Sequence, residues 1–162
     1  MSLSIRPARP GDAALVLAFV RELAAYEKLQ HEVEATEAMI DAALFGDGPR
    51  AFCDIAEWGG EPVGFALWFL NFSSFRGRCG IYLEDLFVRP SHRGRGIGTA
   101  LLRRLATRCL QQGFGRLEWA VLDWNAPSIA FYEAQGATLL HEWKICRLAG
   151  EALAKFAGEE RG

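Results

Sequence analysis

The chain has 162 residues, of which 51% are hydrophobic and 23% charged, the size and composition of one compact globular domain (residues 1–162) and not of a disordered segment. Its 18 Lys plus Arg against 20 Asp plus Glu leave a net charge of -2, without the basic excess of a phosphate-backbone binder, so nucleic acid is not an expected partner. The apolar run from Val63 to Leu70 falls short of the ~20 residues that span a bilayer, and no basic-then-apolar leader opens the chain; the expectation is no membrane partner and a cytoplasmic protein.

Ile5 to Ala8 reads as a short strand, and Pro10-Gly11-Asp12 as a turn with Asp12 as N-cap. The helix it opens places Val16, Phe19, Val20 and Leu23 at helical spacing and runs to about Lys28. Thr36 caps a second helix to Phe45, closed by Gly46 and Gly48. Ala51 to Trp58 and Pro62 to Phe72 are strands joined by Gly59-Gly60, a dipeptide suited to a tight hairpin. Gly80 to Val88 is a central strand stopped at Pro90, and Gly96 to Gln112 a long helix stopped by Gly113. Leu117 to Leu122 reads as a strand, Ala126 to Gln135 as a helix ended by Gly136, Leu139 to Leu148 as one or two strands, and Gly150 onward as a short helix. This order gives a mixed sheet with helices packed on it.

Cys53, Cys79, Cys109 and Cys146 stand far apart, with no Cys-x-x-Cys pair and no histidine at ligand spacing, so reduced thiols and no metal are expected. His31, His92 and His141 share no metal spacing either. Asn71-Phe72-Ser73 matches a glycosylation sequon inside an apolar strand and, without a leader, is a chance match.

The informative junction is where the strand Ile81 to Val88 hands over, through Arg93-Gly94-Arg95-Gly96-Ile97-Gly98-Thr99, to a helix. Glycines there allow positive φ and close backbone approach, and the free N–H groups of the next helix's first turn make an anion site suited to a pyrophosphate. Thr99 occupies the third glycine's place of the dinucleotide fingerprint, and the Gly-Lys-Ser/Thr of a Walker loop is absent. From Leu86 to Leu117 there is no acid, while Arg89, Arg93, Arg95, Arg103, Arg104, Arg108 and Arg116 are basic, so a cationic field is expected around the loop. Between Glu22 and Asp41 the bias is reversed, with six acids against Lys28, which would attract a cationic substrate.

The loop Arg93-Gly94-Arg95-Gly96-Ile97-Gly98 resembles the Arg/Gln-x-x-Gly-x-Gly/Ala signature of the GNAT N-acetyltransferase superfamily. Ile5-Arg6-Pro7-Ala8, Glu22 to Glu27, Tyr82-Leu83-Glu84-Asp85, Ala120 to Asn125 and Ala130-Phe131-Tyr132 are similar to the diamine (spermidine/spermine) acetyltransferase subgroup and its thialysine N-epsilon-acetyltransferase relatives. The resemblance covers essentially the whole chain. It implies an α/β (α+β) GNAT fold: a mixed sheet of six to seven strands, helices on both faces, and a splayed parallel strand pair holding the cofactor.

It further implies acetyl-CoA as co-substrate, with the pyrophosphate on Gly94, Arg95, Gly96, Ile97, Gly98 and Thr99, Arg93 starting the loop, and the pantetheine arm beside Leu86, Phe87 and Val88 and touching Asn125, Ala126, Pro127 and Ser128. Tyr132 matches the tyrosine that protonates the departing thiolate and also borders the cofactor; a phenol holds its proton at neutral pH and can deliver it within hydrogen-bond reach. Glu84 matches a strand carboxylate that binds the amine and, through water, takes its proton. Asp85 is expected on the opposite face by strand alternation. Tyr26 and Glu27 match residues that hold the ammonium, Glu118, Trp119 and Ala120 line the acceptor side, and Glu142 with Trp143 adds a further amine contact. Ser73 and Ser74 stand where the polyamine enzymes carry an acid, which favours a shorter amine or an amino acid.

The function implied is N-acetylation of a small primary amine (a diamine, a polyamine or a thialysine/lysine-like amino acid) by direct attack, with no acetyl-enzyme and no metal, in a homodimer. Two other functions stay open at this stage: acetylation of a peptide or protein, which would need an open groove, and a non-catalytic CoA-binding sensor module, which loss of Tyr132 or Glu84 would have favoured.

Overall fold

Alternating apolar residues in four segments build one antiparallel meander. In the computed structural model, which describes residues 2–158, β1 (Leu3–Pro7), β2 (Phe52–Trp58), β3 (Glu61–Ser73) and β4 (Arg78–Val88) pair in that order, and β5 (Leu117–Glu118) joins β4 in parallel. The β2–β3 turn is the two-residue Gly59-Gly60 loop, with Trp58 opposite Glu61. The chain divides into two compact units, Met1–Trp124 and Asn125–Gly162.

In the first unit, helices cover both faces of the sheet. α1 (Ala13–Tyr26) and α2 (Glu37–Phe45) pack Val16, Phe19, Leu23 and Leu44 on Cys53, Ile55, Phe65 and Phe87, with the Phe19 and Phe65 rings stacked at 5.2 Å. These are the odd-numbered strand residues, the face that a period of two presents to the helices. α3 (Ile97–Gln112) lies on the other face, burying Leu101 and Leu105 and placing Arg108 4.6 Å above the Trp68 ring. Thr36 caps α2 as expected, its hydroxyl accepting from the Met39 N–H at 3.2 Å. Asp12 occupies the N-cap position of α1 without a side-chain cap bond; its carboxylate instead binds the Arg6 guanidinium at 2.7 Å and the Arg9 N–H at 2.8 Å.

The fully buried Asp54 receives Arg108 at 2.5 and 3.0 Å and Arg104 at 3.1 Å. Arg89 binds Glu22 at 3.1 Å, and Arg95 lies over Trp58. Much of the basic run expected to form a field around the loop is therefore committed to fixed internal partners.

In the second unit, α4 (Ala126–Ala134) and α5 (Gly150–Phe156) are helical. Three expectations are corrected. Among the described residues the sheet has five strands, fewer than six to seven; β5 is two residues long and does not run to Leu122; and Leu139 to Leu148 forms no strand. The stretch 137–149 mixes apolar and charged residues with little alternation and finds no ladder partner among the described residues. No described helix is long and apolar enough to cross a membrane.

Candidate active site

The site is built around the upper half of β4. Its ladder with β5 stops after Ile81 beside Leu117 and Tyr82 beside Glu118, so Leu83 to Val88 continue with no described strand on that side. The expected second strand beside Leu86 to Val88 is not formed among the described residues, because β5 ends at Glu118. Leu86, Phe87 and Val88 form the end of β4.

The loop that follows turns through a 3-10 segment, Pro90–His92, and reaches Gly94 and Gly96, both at φ 78°. That left-handed geometry, with open space around both positions, is what glycine supplies and other residues adopt only at a cost. Gly96 is the N-cap of α3; no side chain caps the helix, and no acid lies in its first turn. The first-turn N–H groups of Ile97, Gly98 and Thr99 therefore present a positive helix end to an anion, which fits a pyrophosphate. Arg93 opens the loop, its Nε donating to the Val88 carbonyl at 2.9 Å and its guanidinium lying 5.0 Å from the Tyr26 ring and 5.6 Å from that of Phe87.

Tyr26, the last residue of α1, joins this end of the unit to Trp124 at 6.3 Å. Lys28 lies 4.7 Å over the same indole and takes a positive φ of 62°, the left-handed turn by which the chain leaves α1. Glu27 is the C-cap between them.

The carboxylates depart from the expectation. Leu67 pairs with Asp85 but Trp68 pairs with Leu83, so Glu84 is the extra residue of a β-bulge. Leu67 packs toward α1 and Trp68 lies under Arg108 of α3. The bulge thus moves Asp85 to the α1 side, and the sequence expectation that Asp85 points away is overturned. Burial, followed by the charges of Glu84 and Glu27, raises the Asp85 carboxyl to about 7. Burial and Glu84 also raise Glu27, and burial, Glu84 and Glu118 raise the Tyr82 phenol. These shifts have one physical origin: acids gathered on a partly desolvated face, where adding negative charge is resisted.

Of the other residues singled out, Glu118 lies on β5 and accepts a hydrogen bond from Asn71 Nδ2 at 3.2 Å, while Trp119 and Ala120 follow it outside any strand. In the second unit, Asn125 caps α4, its Oδ1 accepting from the Ser128 N–H at 3.3 Å, with Ala126 and Pro127 in the first turn. Tyr132 lies two turns along α4, its ring 5.5 Å from that of Phe131. Glu142 is exposed in the segment between α4 and α5. Asp85 was not singled out from the sequence; the Glu-Asp pair on a strand was visible, but the bulge that brings Asp85 to the α1 side was not. Among the described residues no cluster of His, Cys, Asp or Glu could hold a metal ion.

Residues 17–137 match the acetyltransferase (GNAT) family. The chain is 40% identical to the thialysine N-epsilon-acetyltransferase of Bos taurus, with 96% of this chain and 97% of the relative covered. It is 30% identical to the L-ornithine N5-acetyltransferase NATA1 of Arabidopsis thaliana, covering 92% and 85%. Among solved structures, an integron cassette protein from the mobile metagenome of V. cholerae superimposes with a TM-score of 0.80 at 30% identity, covering 97% and 98%.

Proposed function

Because this chain belongs to the acetyltransferase (GNAT) family and is an enzyme of that kind, we propose that it acetylates the terminal amine of a small diamine, polyamine or lysine-like amino acid by direct attack in a ternary complex. The observation that carries the reading is the gathering of Glu27, Glu84 and Asp85 on one side of β4. A cation is attracted to such a face, and an amine must be deprotonated there before it can react. The names of the relatives, thialysine and ornithine acetyltransferases, fit an acceptor of this class.

When bound, acetyl-CoA would supply the thioester that acylates the amine, releasing the CoA thiolate. Gly94 to Thr99, opened by Arg93, would hold the pyrophosphate by backbone N–H groups, and Leu86 to Val88 would border the pantetheine arm; for Asn125 to Ser128 the same role is proposed from the family resemblance alone. A backbone N–H near Leu86 stabilises the charge developing on the thioester oxygen. Tyr26 and Glu27 hold the ammonium. Glu84 takes its proton through water, with Asp85 beside it as a second acceptor whose value near 7 suits proton transfer at neutral pH. From the family resemblance alone, Tyr132 would protonate the departing thiolate and Glu142 would add an amine contact; Glu118, Trp119 and Ala120 would line the acceptor side of the first unit. These roles rest on the match of residue types to the family pattern and, for the acids, on the electrostatics of the first unit.

In this reading residues 1–162 act as one catalytic domain; the family match from 17 to 137 runs across both compact units and supports it. The enzyme works as a cytoplasmic homodimer, where its four free cysteines stay reduced. Exposed Phe72 and Phe75 near the β3–β4 turn offer apolar surface to a second copy, and sedimentation equilibrium at twice the monomer mass is the expected result. The test of the activity is mass-spectrometric detection of acetylated product from purified protein, acetyl-CoA and a panel of spermidine, putrescine, thialysine, lysine and a short peptide. Acetylation of a small amine in preference to the peptide is expected; a peptide-only product, or none, would overturn the reading.

A further inference from the structure

Below the three carboxylates, the same side of the sheet carries a second polar group of mixed sign. Asn71 lies across from Gly80, and Tyr82 is flanked by Phe69 on β3 and Glu118 on β5. The Glu118 carboxylate has two neighbours: Asn71 Nδ2 at 3.2 Å, and Arg116 Nε at 2.9 Å from the same Oε1. Gly80 makes room for them. A Cβ there would stand 2.9 Å from Asn71 Oδ1, 2.8 Å from the Arg116 carbonyl oxygen and 3.3 Å from Arg116 Cγ.

Two atoms of this group are buried without an aligned hydrogen-bond partner: Asn71 Oδ1, an acceptor, and Arg116 Nε, a donor whose contact with Glu118 is ionic only. Buried polar atoms are nearly always paired, so each such atom asks what completes it. The pair is also close to electrically neutral in itself, one guanidinium against one carboxylate. Arg76 and Arg78 approach Gly115 next to it, so the surroundings tip toward positive. That environment disfavours a second ammonium alone, as a diamine would bring, and suits a group bearing an ammonium and a carboxylate together.

Resting on the acetyl-transfer reading above, we infer that Arg116, Glu118 and Asn71 recognise the head group of an α-amino acid whose side-chain amine is the acetyl acceptor. The α-carboxylate pairs with the partly exposed Arg116 guanidinium and the α-ammonium with the partly exposed Glu118 carboxylate, which Asn71 Nδ2 holds in place. Tyr82 and Glu84 are two residues apart on β4, ~7 Å of strand at ~3.4 Å per residue, so the methylene chain of an ornithine- or lysine-like acceptor runs along the Tyr82 ring with its terminal amine toward Glu84. Arg116 is then the residue that separates amino acids from their decarboxylated counterparts.

The test is steady-state kinetics with L-ornithine and L-lysine against putrescine and cadaverine, which keep the terminal amine and lose the carboxylate. The wild-type enzyme is expected to favour the amino acids in kcat/KM by roughly tenfold or more, the scale of one charge-assisted contact. In Arg116→Gln the ratio of amino-acid to diamine kcat/KM falls toward one, through a raised KM for the amino acids, and Arg116→Lys recovers part of it. Because the readout is a ratio within one preparation, a general loss of folded enzyme does not move it. Equal use of both substrate classes by the wild type, or an unchanged ratio in Arg116→Gln, overturns the inference while leaving the acetyl-transfer reading intact. Acetylation of none of the four amines overturns the inference, and only a blank result that extends to spermidine and thialysine overturns the acetyl-transfer reading as well.

Discussion

Asp85 stands on the side of the sheet where Glu27 ends α1 because one extra residue, Glu84, bulges from β4 between the Trp68–Leu83 and Leu67–Asp85 pairs. Without that bulge, the strict alternation of a strand would turn Asp85 toward α3. The consequence is that the charges of Glu84 and Glu27 bear on the buried Asp85 carboxyl and raise it.

This coupling has a stability signature. A folded-state value of about 7 for Asp85, against the free carboxyl's 3.8, means that the native protein keeps a proton that the unfolded chain has already lost. Stability from this group is present below the unfolded value and is lost as pH rises through the folded one. Asp85→Asn is expected to flatten the decline of Tm between pH 5 and 8 and to stabilise the protein at pH 8 by on the order of 1–3 kcal/mol. Urea titrations at the two pH values check it; a variant that keeps the wild-type slope would place the titrating group elsewhere.

Tyr132→Phe removes one phenolic oxygen from α4. Loss of the acid is expected to lower kcat by about 10²–10⁴ with the affinity for acetyl-CoA little changed. Calorimetric titration with acetyl-CoA beside turnover measurements separates the two, and unimpaired turnover would take Tyr132 out of the mechanism.

Gly96 has room for a methyl group but not the right backbone for one: its φ of 78° is left-handed. Gly96→Ala is expected to strain the loop by ~1–2 kcal/mol and to weaken acetyl-CoA binding while sparing the carboxylate side. A raised KM for acetyl-CoA with an unaltered KM for the amine is the expected pattern.

Asp54 is wholly buried with Arg104 and Arg108 as partners. Asp54→Ala leaves two guanidiniums partly buried without their carboxylate, and a loss of about 3–5 kcal/mol is expected. Chemical denaturation measures it directly; a loss below 1 kcal/mol would show that water replaces the carboxylate at little cost.

Local chemistry made much of the fold legible. Thr36 before α2, Gly59-Gly60 between β2 and β3 and Gly113 after α3 each act within a few residues, and the glycine loop announces its own helix. What could not be read depends on partners distant in sequence. The Glu84 bulge is defined only by its register against Leu67 and Trp68. The basic run looked like a field around the loop, but Arg104 and Arg108 are spoken for by Asp54, some fifty residues away. β5 ended early because its ladder exists only where Arg116 to Glu118 lie beside Gly80 to Tyr82. Tyr26, Glu27, Glu84 and Glu118 were singled out by their match to the family pattern, whereas the placement of Asp85 beside Leu67 and of Asn71 across from Gly80 needed the strand register.

Direct attack of an amine on acetyl-CoA, with Glu84 and Asp85 proposed to receive the proton and no acetyl-enzyme formed, requires both substrates on the enzyme at once. Initial rates measured over a crossed grid of acetyl-CoA and amine concentrations test it most directly. Lines that intersect in the double-reciprocal plot are the expected result, since both substrates must be bound together; parallel lines would show that acetyl is first transferred to the protein and would exclude direct attack.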